Sequence, residues 1–301
     1  MNSSNVATPK IDNEISPSPR LPVSASLPWS LWLRQIRAIF WLEVEKNFLG
    51  RRSILLYLMA LLPILPLCLF ALLFRLVPPG GELQDMSSYS TFFAYYYGAF
   101  ILRTVVFFGC AWIFMNLFRG DIVDRSLHFY FLSPVRREVL VVGKYLSGLI
   151  TSILLFTGTT VICMLLLYVP QFPSESARFF FDGVGMRHLL TYASVTILAC
   201  IGYGAFFLVV GLFVRNPIIP ALLLYGWEWL NFLLPPLLKK ISVIHYLHSL
   251  VPVPVSEGPF AVVAEPTPAW IAVPSLVLVT LLVLIIASYR IRHMEIRYGS
   301  D

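Results

Sequence analysis

The sequence predicts an all-α membrane protein with six transmembrane helices, preceded by an interfacial amphipathic helix and with both termini in the cytoplasm. Hydrophobic residues make up 58% of the 301 residues, charged residues only 13%, and the mean hydropathy is +0.78. A soluble domain is about 45–50% apolar and 25% charged. Apolar runs of about 20 residues, enough to cross a bilayer, recur between short polar segments. No polar stretch is long enough to bury a core of its own.

The chain begins with a polar segment and an amphipathic one. Residues 1–27 are rich in Ser and Pro and lack an apolar run with a small-residue cleavage site. They predict a disordered cytoplasmic tail rather than a signal peptide. Residues 28–49 predict an amphipathic helix lying in the membrane interface; the alternative is a soluble helix packed on a partner. Its apolar side holds Trp29, Trp32, Leu33, Ile36 and Phe40, and its polar side holds Ser30, Arg34, Arg37 and Glu45.

Six apolar runs follow, and each reaches the roughly 17–25 residues that span a bilayer. Pro63 and Pro66 in the first run predict a kink near the middle of the membrane. Residues 290–301, after the last run, are expected to form a cytoplasmic tail. The predicted spans are 53–77, 91–118, 139–169, 188–214, 218–234 and 269–289.

Lysine and arginine are distributed unevenly between the two sides of this topology. Six crossings place both termini on one side. With that side assigned as the cytoplasm, the inside segments hold 16 Lys or Arg residues and the outer loops only four. The positive-inside rule then places residues 119–138 in the cytoplasm and the long loop 237–267 outside. The net charge of +6 follows from topology, so nucleic acid is not an expected partner.

The segment Arg119–Lys144 combines charges, aromatic residues and a helix start between two spans. Ser133 and Pro134 predict that start, with Ser as N-cap and Pro in the first helical position. Arg136 and Arg137 would lie in the first turn, where the helix dipole disfavours cations. Anionic lipid headgroups or the cytoplasmic orientation would account for them; an ordinary cytoplasmic loop is the alternative. A short apolar helix is predicted just before, with Leu127, Phe129, Tyr130 and Phe131.

Several kinds of chemistry have no residues in this sequence. The phosphate-binding pattern G-x-x-x-x-G-K-S/T is absent, because Gly143-Lys144 is preceded by Glu138 and followed by Tyr145 at the diagnostic positions. Neither H-E-x-x-H nor G-x-S-x-G occurs, so we expect no enzyme activity, no metal and no cofactor. The four cysteines fall inside apolar runs and are expected to serve packing: Cys68, Cys110, Cys163 and Cys200.

Taken together, these features resemble the permease subunits of ABC-2-type transporters over about residues 28–295. The most specific piece is the run LSPVRR at 132–137 followed by Gly143-Lys144. It is similar to that family's L-x-x-P-x-x-R … G-K entry into the third span. The resemblance implies a permease of the bacterial inner membrane that is a dimer, with a second copy or a related chain, and that separate cytoplasmic ATPase subunits drive. It implies export of the substrate. The aromatic residues Trp227, Trp229 and Tyr95 to Tyr97, near the expected path, favour an amphipathic or lipid-like substrate.

The resemblance also assigns roles to segments. Residues 29–48 would be the elbow helix, and residues 237–267 an outer re-entrant helical region. The coupling segment is more aromatic than is usual in the family, so individual ATPase contacts do not carry over. The expected ATPase-coupling residues are Leu127, Phe129, Tyr130, Phe131, Arg136 and Arg137.

Two charged residues lie well inside predicted spans. Arg103 is 12 residues into the second span and Glu228 seven residues before Pro235, about 18 and 10 Å from the outer side at 1.5 Å per residue. A charge at a helix centre costs roughly 2.5–3.5 kcal/mol on insertion scales, so each should have a partner and face protein or water. Arg103 and Glu228 are therefore expected to form a structural ion pair, or alternatively a pair that contacts the substrate or gates the translocation path.

Two other classes of protein fit less well. A stand-alone secondary transporter or channel would need several intramembrane carboxylates or matching broken helices, and Glu228 is the sole mid-membrane carboxylate of the sequence. A membrane-embedded lipid-modifying enzyme would need a cluster of polar catalytic residues. His245 and His248 are the nearest candidates, but no carboxylate lies near them in the sequence.

Overall fold

The computed structural model describes residues 29–50, 53–76, 86–123, 132, 135–169, 176–214, 216, 218–254 and 266–292. All regular secondary structure in these ranges is helical. The first half contains α1 (Trp29–Leu49), α2 (Ser53–Leu61), α3 (Ile64–Leu76), α4 (Met86–Tyr96), a π-helix (Tyr97–Val106) and α5 (Phe107–Val123).

The second half begins with α6 (Arg137–Ser152), a π-helical turn (Ile153–Thr157) and α7 (Gly158–Tyr168), which form one continuous helix. It continues with α8 (Ser176–Phe181), α9 (Gly185–Phe213), α10 (Ile218–Trp229), a 3₁₀ turn (Leu230–Leu233), α11 (Pro236–Lys239), α12 (Val243–Ser249) and α13 (Ala269–Arg292).

Among the described residues, five helices are long and apolar enough to cross a membrane. They correspond to the first, second, third, fourth and sixth predicted spans and confirm a multi-pass, all-α membrane protein. The predicted fifth span, 218–234, forms the shorter apolar helix Ile218–Leu233, so a sixth crossing stays a prediction at this point. The five long helices are Ser53–Leu73, Ser87–Asp121, Arg137–Tyr168, Gly185–Phe213 and Ala269–Ile291.

The first span is broken where its prolines predict a kink. α2 ends at Leu61 and α3 begins at Ile64, with a turn at Leu62 and Pro63 between them. Pro63 and Pro66 lack the N–H groups that would donate to the preceding turn, so the helical hydrogen bonds stop there. The hydroxyl of Tyr96 donates to the Pro63 carbonyl at 2.6 Å, which satisfies a backbone acceptor at the break.

The second span contains a feature that the sequence does not signal. Ten residues, Tyr97–Val106, form a π-helix in the middle of the span, whereas such helices usually occur as single turns and often at functional sites. The wider helix places Arg103 and Thr104 next to α10, where Thr104 and Tyr225 hydroxyl oxygens lie 3.4 Å apart.

Cross-contacts fix the relative directions of the helices. The second and third spans are antiparallel, because Asp121 contacts Lys144 near one end and Ser90 contacts Tyr168 near the other. The second and fourth spans run in the same direction. Near one end the hydroxyl oxygens of Tyr97 and Thr196 lie 3.0 Å apart, and at the other a Cβ on Gly211 would lie 2.8 Å from the Cα of Met115.

The last long helix, α13, also runs in the same direction as the fourth span. A Cβ on Gly202 would lie 3.5 Å from Leu276, and further along both helices the Arg290 guanidinium lies 5.3 Å from the centre of the Phe213 ring. The chain therefore returns between Phe213 and Ala269 to the end of the bundle where the fourth span begins.

α1 packs along the third span instead of lying free of it. The Arg136 guanidinium lies 4.6 Å from the Trp32 ring centre at one end, and Asn47 donates to the Thr151 hydroxyl at 3.5 Å at the other. The two helices thus run side by side in the same direction. Of the five residues on the predicted apolar side, Trp32 and Ile36 pack on the protein core, whereas Trp29 and Leu33 are exposed. The interfacial position of α1 stays a prediction.

The helix of the third span begins at Arg137, two residues before the predicted span 139–169 but three residues after the predicted helix start at Pro134. Val135 and Arg136 are not helical, and Arg136 has the extended conformation of a residue that precedes a helix. The helix start at Pro134, with Ser133 as N-cap, is therefore wrong. Arg137 becomes the first helical residue, and its guanidinium donates to the Ile291 carbonyl at 3.0 Å. This contact with the end of α13 explains a cation that the helix dipole alone would disfavour.

Candidate functional site

A buried group of four charges joins α1 to the ends of the second and third spans. We call Glu43, Lys46, Asp121 and Lys144 the charge cluster. The Lys144 side chain is 0% exposed, and its ammonium lies 2.6 Å from Glu43 Oε1 and 2.6 Å from Asp121 Oδ2. It also donates to the Leu117 carbonyl at 2.8 Å. Half-exposed Lys46 lies 3.4 Å from Glu43 and 3.5 Å from Asp121.

The local sequence explains how the charge cluster forms. Gly143 lets α1 approach closely, since a Cβ there would lie 3.0 Å from Ile39 Cγ2 and 3.5 Å from the Ile36 carbonyl oxygen. Glu43 follows Ile36 and Ile39 on the same stripe of α1, so its carboxylate reaches the neighbouring Lys144. Gly143 therefore allows the close contact between α1 and the third span, and the next residue, Lys144, provides the buried cation of the charge cluster.

The electrostatics of the charge cluster are balanced. Two lysines face two carboxylates, and three hydrogen bonds use the three donors of the Lys144 ammonium. Charges buried in this way are costly to desolvate, and removing one partner leaves the others uncompensated. Lys144 lies 24 residues before Tyr168, about 36 Å along the helix, which exceeds the roughly 30 Å hydrocarbon core. The cluster thus belongs to the end of the bundle rather than to its middle.

The charge cluster also borders the predicted coupling segment. Asp121 lies near the beginning of this segment, residues 119–138, and Arg136 and Arg137 near its end contact Trp32 and the Ile291 carbonyl. Leu132 is 80% exposed. Both ends of the segment are therefore fixed to helices of the bundle. Four of the expected coupling residues lie outside the described residues: Leu127, Phe129, Tyr130 and Phe131.

A second polar site surrounds Glu228, which is 2% exposed. Its carboxylate accepts three hydrogen bonds from the start of α12: the Ser242 hydroxyl at 2.7 Å, the Val243 N–H at 3.2 Å and the Ile244 N–H at 3.1 Å. The first N–H groups of a helix have no partner within it, and Glu228 supplies one. It fixes α12 against α10.

This contact places part of the predicted outer loop between the helices. A Cβ on Gly202, in the middle of the fourth span, would lie 3.4 Å from Val243 Cγ1, and one on Gly98 would lie 3.6 Å from His248 Nε2. Residues 237–250 of the region 237–267 predicted outside therefore fold back into the bundle as far as the middle of α9. Irregular backbone at this depth needs protein partners for its polar groups, and Glu228 provides them.

Arg103 lies close enough to Glu228 for their charges to interact. Its guanidinium carbon is also 5.9 Å from the centre of the Trp229 ring. The indole N–H of Trp229 donates to the Tyr225 hydroxyl at 2.8 Å, and that hydroxyl lies 3.4 Å from Thr104. The structure thus places both predicted intramembrane charges in one region between the second span and α10. Their pairing and a role in the translocation path stay predictions.

The two histidines considered for lipid chemistry have ordinary contacts. The Nε2 atom of His245 lies 3.2 Å from the Thr267 hydroxyl, and His248 packs near Gly98. In the part of the chain that the structure describes, no group of three His, Cys, Asp or Glu residues could hold a metal ion. Among the cysteines, Cys110, Cys163 and Cys200 are buried, as packing predicts, whereas Cys68 is exposed.

The sequence reasoning missed the charge cluster. Lys144 was counted among cytoplasmic charges, and Glu43 and Asp121 were given no role. One signal was available: Glu43 continues the apolar stripe of α1, and an acidic residue in such a position requires a buried partner. Nothing in the sequence identifies Lys144 and Asp121 as that partner, because they lie 101 and 78 positions away.

No family model, no curated protein and no solved structure matches this chain. Function is therefore inferred from the residues, from their contacts and from the sequence resemblance.

Proposed function

We propose that this chain is the permease subunit of an ATP-driven ABC-2-type transporter, located in the bacterial inner membrane and exporting an amphipathic or lipid-like substrate. A separate ATPase subunit would bind at residues 119–138, and a second copy or a related permease would complete the path. One observation carries the proposal: one face of the bundle, on the second span and α10, is polar and aromatic, while the exposed positions of the first and last spans are apolar.

That face is formed by the second span and α10. Thr104, Phe108, Trp112 and Asn116 recur every four residues on the second span and are only partly buried. By contrast, the exposed positions of the first and last spans are apolar, as lipid requires. Polar groups at membrane depth face protein or a water-filled cavity rather than lipid. A second subunit and a translocation path would provide both. Trp229 of α10 lies beside this face and is also exposed.

We further propose six crossings, with Ile218–Leu233 as the fifth. Because α13 runs in the same direction as the fourth span, the chain must return across the bundle between them. α10 is directed that way: Tyr225 packs on Phe108 with ring centres 4.7 Å apart, and Trp229 lies near Arg103. α10 thus runs antiparallel to the second span. Its 3₁₀ turn and the folded-back residues 237–250 would complete the crossing.

Cysteine labelling tests this topology and its orientation. In a variant whose four cysteines are replaced, single cysteines at Ser87 and at Ser256 should react from outside with a membrane-impermeant thiol reagent, whereas one at Ser126 should react only after the membrane is opened. The reason is the excess of Lys and Arg on the inner side. Labelling of position 126 in intact cells would reverse the orientation, and an inaccessible position 256 would remove the sixth crossing.

The coupling role is tested with the aromatic pair of the cytoplasmic segment. If Phe129 and Phe131 anchor an ATPase subunit, replacing both by alanine should remove contacts that commonly contribute about 2 kcal/mol or more each. We expect loss of the co-purifying ATPase, or at least a tenfold weaker complex, with normal membrane insertion. Phe181→Ala is the matched control, because Phe181 is an aromatic residue 79% exposed beyond the opposite end of the third span.

The same experiment separates the proposal from its main rival. If no ATP-binding-cassette subunit co-purifies with the unchanged protein, a stand-alone secondary transporter or channel becomes the better reading. If the subunit co-purifies equally with the Phe129→Ala, Phe131→Ala variant, the permease role stands and the contact lies elsewhere.

A further inference from the structure

We propose that Lys144 is a positioning residue of the transport cycle. It holds α1 and the adjoining ends of the second and third spans together as one body, so that a displacement of the segment between them is passed to all three. This inference rests on the proposed function for the source of the displacement, an ATPase acting on residues 119–138. The contacts that would transmit it are independent of that proposal.

The geometry makes Lys144 the central member of the charge cluster. It belongs to the third span, Asp121 and Leu117 belong to the second, and Glu43 belongs to α1. A single buried ammonium therefore binds two other elements through carboxylate contacts of 2.6 Å and a carbonyl contact of 2.8 Å. Because all three ammonium donors are used and no part of the side chain is exposed, water cannot replace these contacts as it can at the protein surface.

The segment that links the second and third spans shows how movement would reach the charge cluster. In the chain, residues 122–136 connect Asp121 of the second span to Arg137, the first helical residue of the third span, seven positions before Lys144. Arg136 contacts Trp32 of α1 and Arg137 donates to the Ile291 carbonyl of the last span. A force on this segment therefore reaches the second span at Asp121 and the third at Arg137. Without the Lys144 bridge, these two ends could separate.

Apolar packing alone does not prevent sliding of these helices. α1 packs along the third span, closely at Gly143 where Ile36 and Ile39 approach it, and packed helices can slide past one another. Burial of the charges opposes sliding, because a shift that separates the ammonium from either carboxylate leaves an uncompensated charge. The contacts of Lys144 with both carboxylates therefore favour one relative position of α1 and the second and third spans.

The test uses a variant that removes the bridge without leaving a net charge. Lys144→Met combined with Glu43→Gln deletes one cation and one anion outside residues 119–138 and leaves Lys46 opposite Asp121, 3.5 Å away. Arg178→Met combined with Asp182→Asn is the matched control, since it also removes one cation and one anion, at exposed residues near the other end of the third span. Each is purified with its ATPase and placed in phospholipid vesicles, with a fluorophore on a cysteine at Ser87 as reporter of movement at the far end of the second span.

We expect the bridge variant to bind the ATPase and hydrolyse ATP, while the ATP-induced fluorescence change per ATP hydrolysed falls about tenfold, a usual size for coupling between sites. The control should match the unchanged protein. Cysteines at Asn47 and Thr151, whose side chains are 3.5 Å apart, should restore the signal in the bridge variant when a short bifunctional thiol reagent joins α1 to the third span. A purely structural loss would not be restored in this way.

An undiminished signal in the bridge variant would overturn the proposal, and so would a diminished signal that the 47–151 cross-link does not restore. If the bridge variant does not accumulate, Glu43→Gln with Lys46→Met takes its place. This variant removes both charges that α1 contributes to the charge cluster, leaves the net charge unchanged and is assessed by the same two outcomes. If the unchanged protein binds no ATPase, the proposed function fails. The rate at which cysteines at positions 47 and 151 are cross-linked then tests the role of Lys144. A rate slowed in the bridge variant supports its holding role, and an unaltered rate ends it.

Discussion

Replacing Lys144 alone by methionine is expected to destabilise the folded protein by about 3–5 kcal/mol, the usual cost of removing one partner from a buried ion pair. Methionine is close to lysine in volume, so the effect isolates the charge. Glu43 and Asp121, both buried, would be left with half-exposed Lys46 as the nearby cation of the cluster. Thermal unfolding of the detergent-solubilised protein, followed by the fluorescence of its tryptophans, measures the loss.

The neutral double variant provides the comparison for this stability prediction. Lys144→Met with Asp121→Asn removes one charge of each sign and should recover at least half of the loss, because the remaining carboxylate and Lys46 lie 3.4 Å apart. Lys46→Met should cost much less than Lys144→Met, since Lys46 is half exposed and water can take its place. Equal losses of stability for Lys144→Met and Lys46→Met would show that burial of the lysine does not determine how much it stabilises the folded protein.

Replacing Glu228 by leucine is expected to cost about 3 kcal/mol or more. Three donors at the start of α12 would lose their acceptor: the Ser242 hydroxyl and the N–H groups of Val243 and Ile244. An unsatisfied buried donor costs about 1–3 kcal/mol. Glu228→Gln keeps one acceptor oxygen and should cost about half as much. Resistance of the loop after α12 to added protease, measured alongside thermal unfolding, shows whether α12 has detached.

Arg103 separates the two readings of the intramembrane pair. Exchanging the two residues, Arg103→Glu with Glu228→Arg, keeps one charge of each sign. It also places arginine, whose guanidinium cannot accept hydrogen bonds, next to the N–H groups at the start of α12. We therefore expect the exchange to be as unstable as Glu228→Leu. Arg103→Ala, which leaves the hydrogen bonds of Glu228 to α12 intact, should express well, and loss of ATP-dependent transport in that variant would favour a place in the path. Recovery of stability by the exchange would show that the ion pair, and not the hydrogen bonds to α12, holds the region.

For α1, the sequence pattern predicts the helix correctly but does not predict the surface on which the helix packs. Its residues predict a helix with an apolar side, and the helix forms with nearly the predicted bounds. The pattern does not distinguish lipid from protein as the surface that covers that side, because both are apolar. Trp32 and Ile36 face the protein and Trp29 and Leu33 do not, and it is the third span that makes this choice.

The class of the protein, the positions of five long apolar helices and the break at Pro63 follow from local sequence, because hydrophobicity over some 20 residues and the missing N–H of proline act locally. Which charges meet depends instead on the packing of the helices. Lys144, Glu43 and Asp121 are distant in the chain, and Glu228 finds its partners 14 to 16 residues later. A buried charge predicts that a partner exists, since desolvation makes an unpaired one too costly; which residue it is depends on how the helices pack.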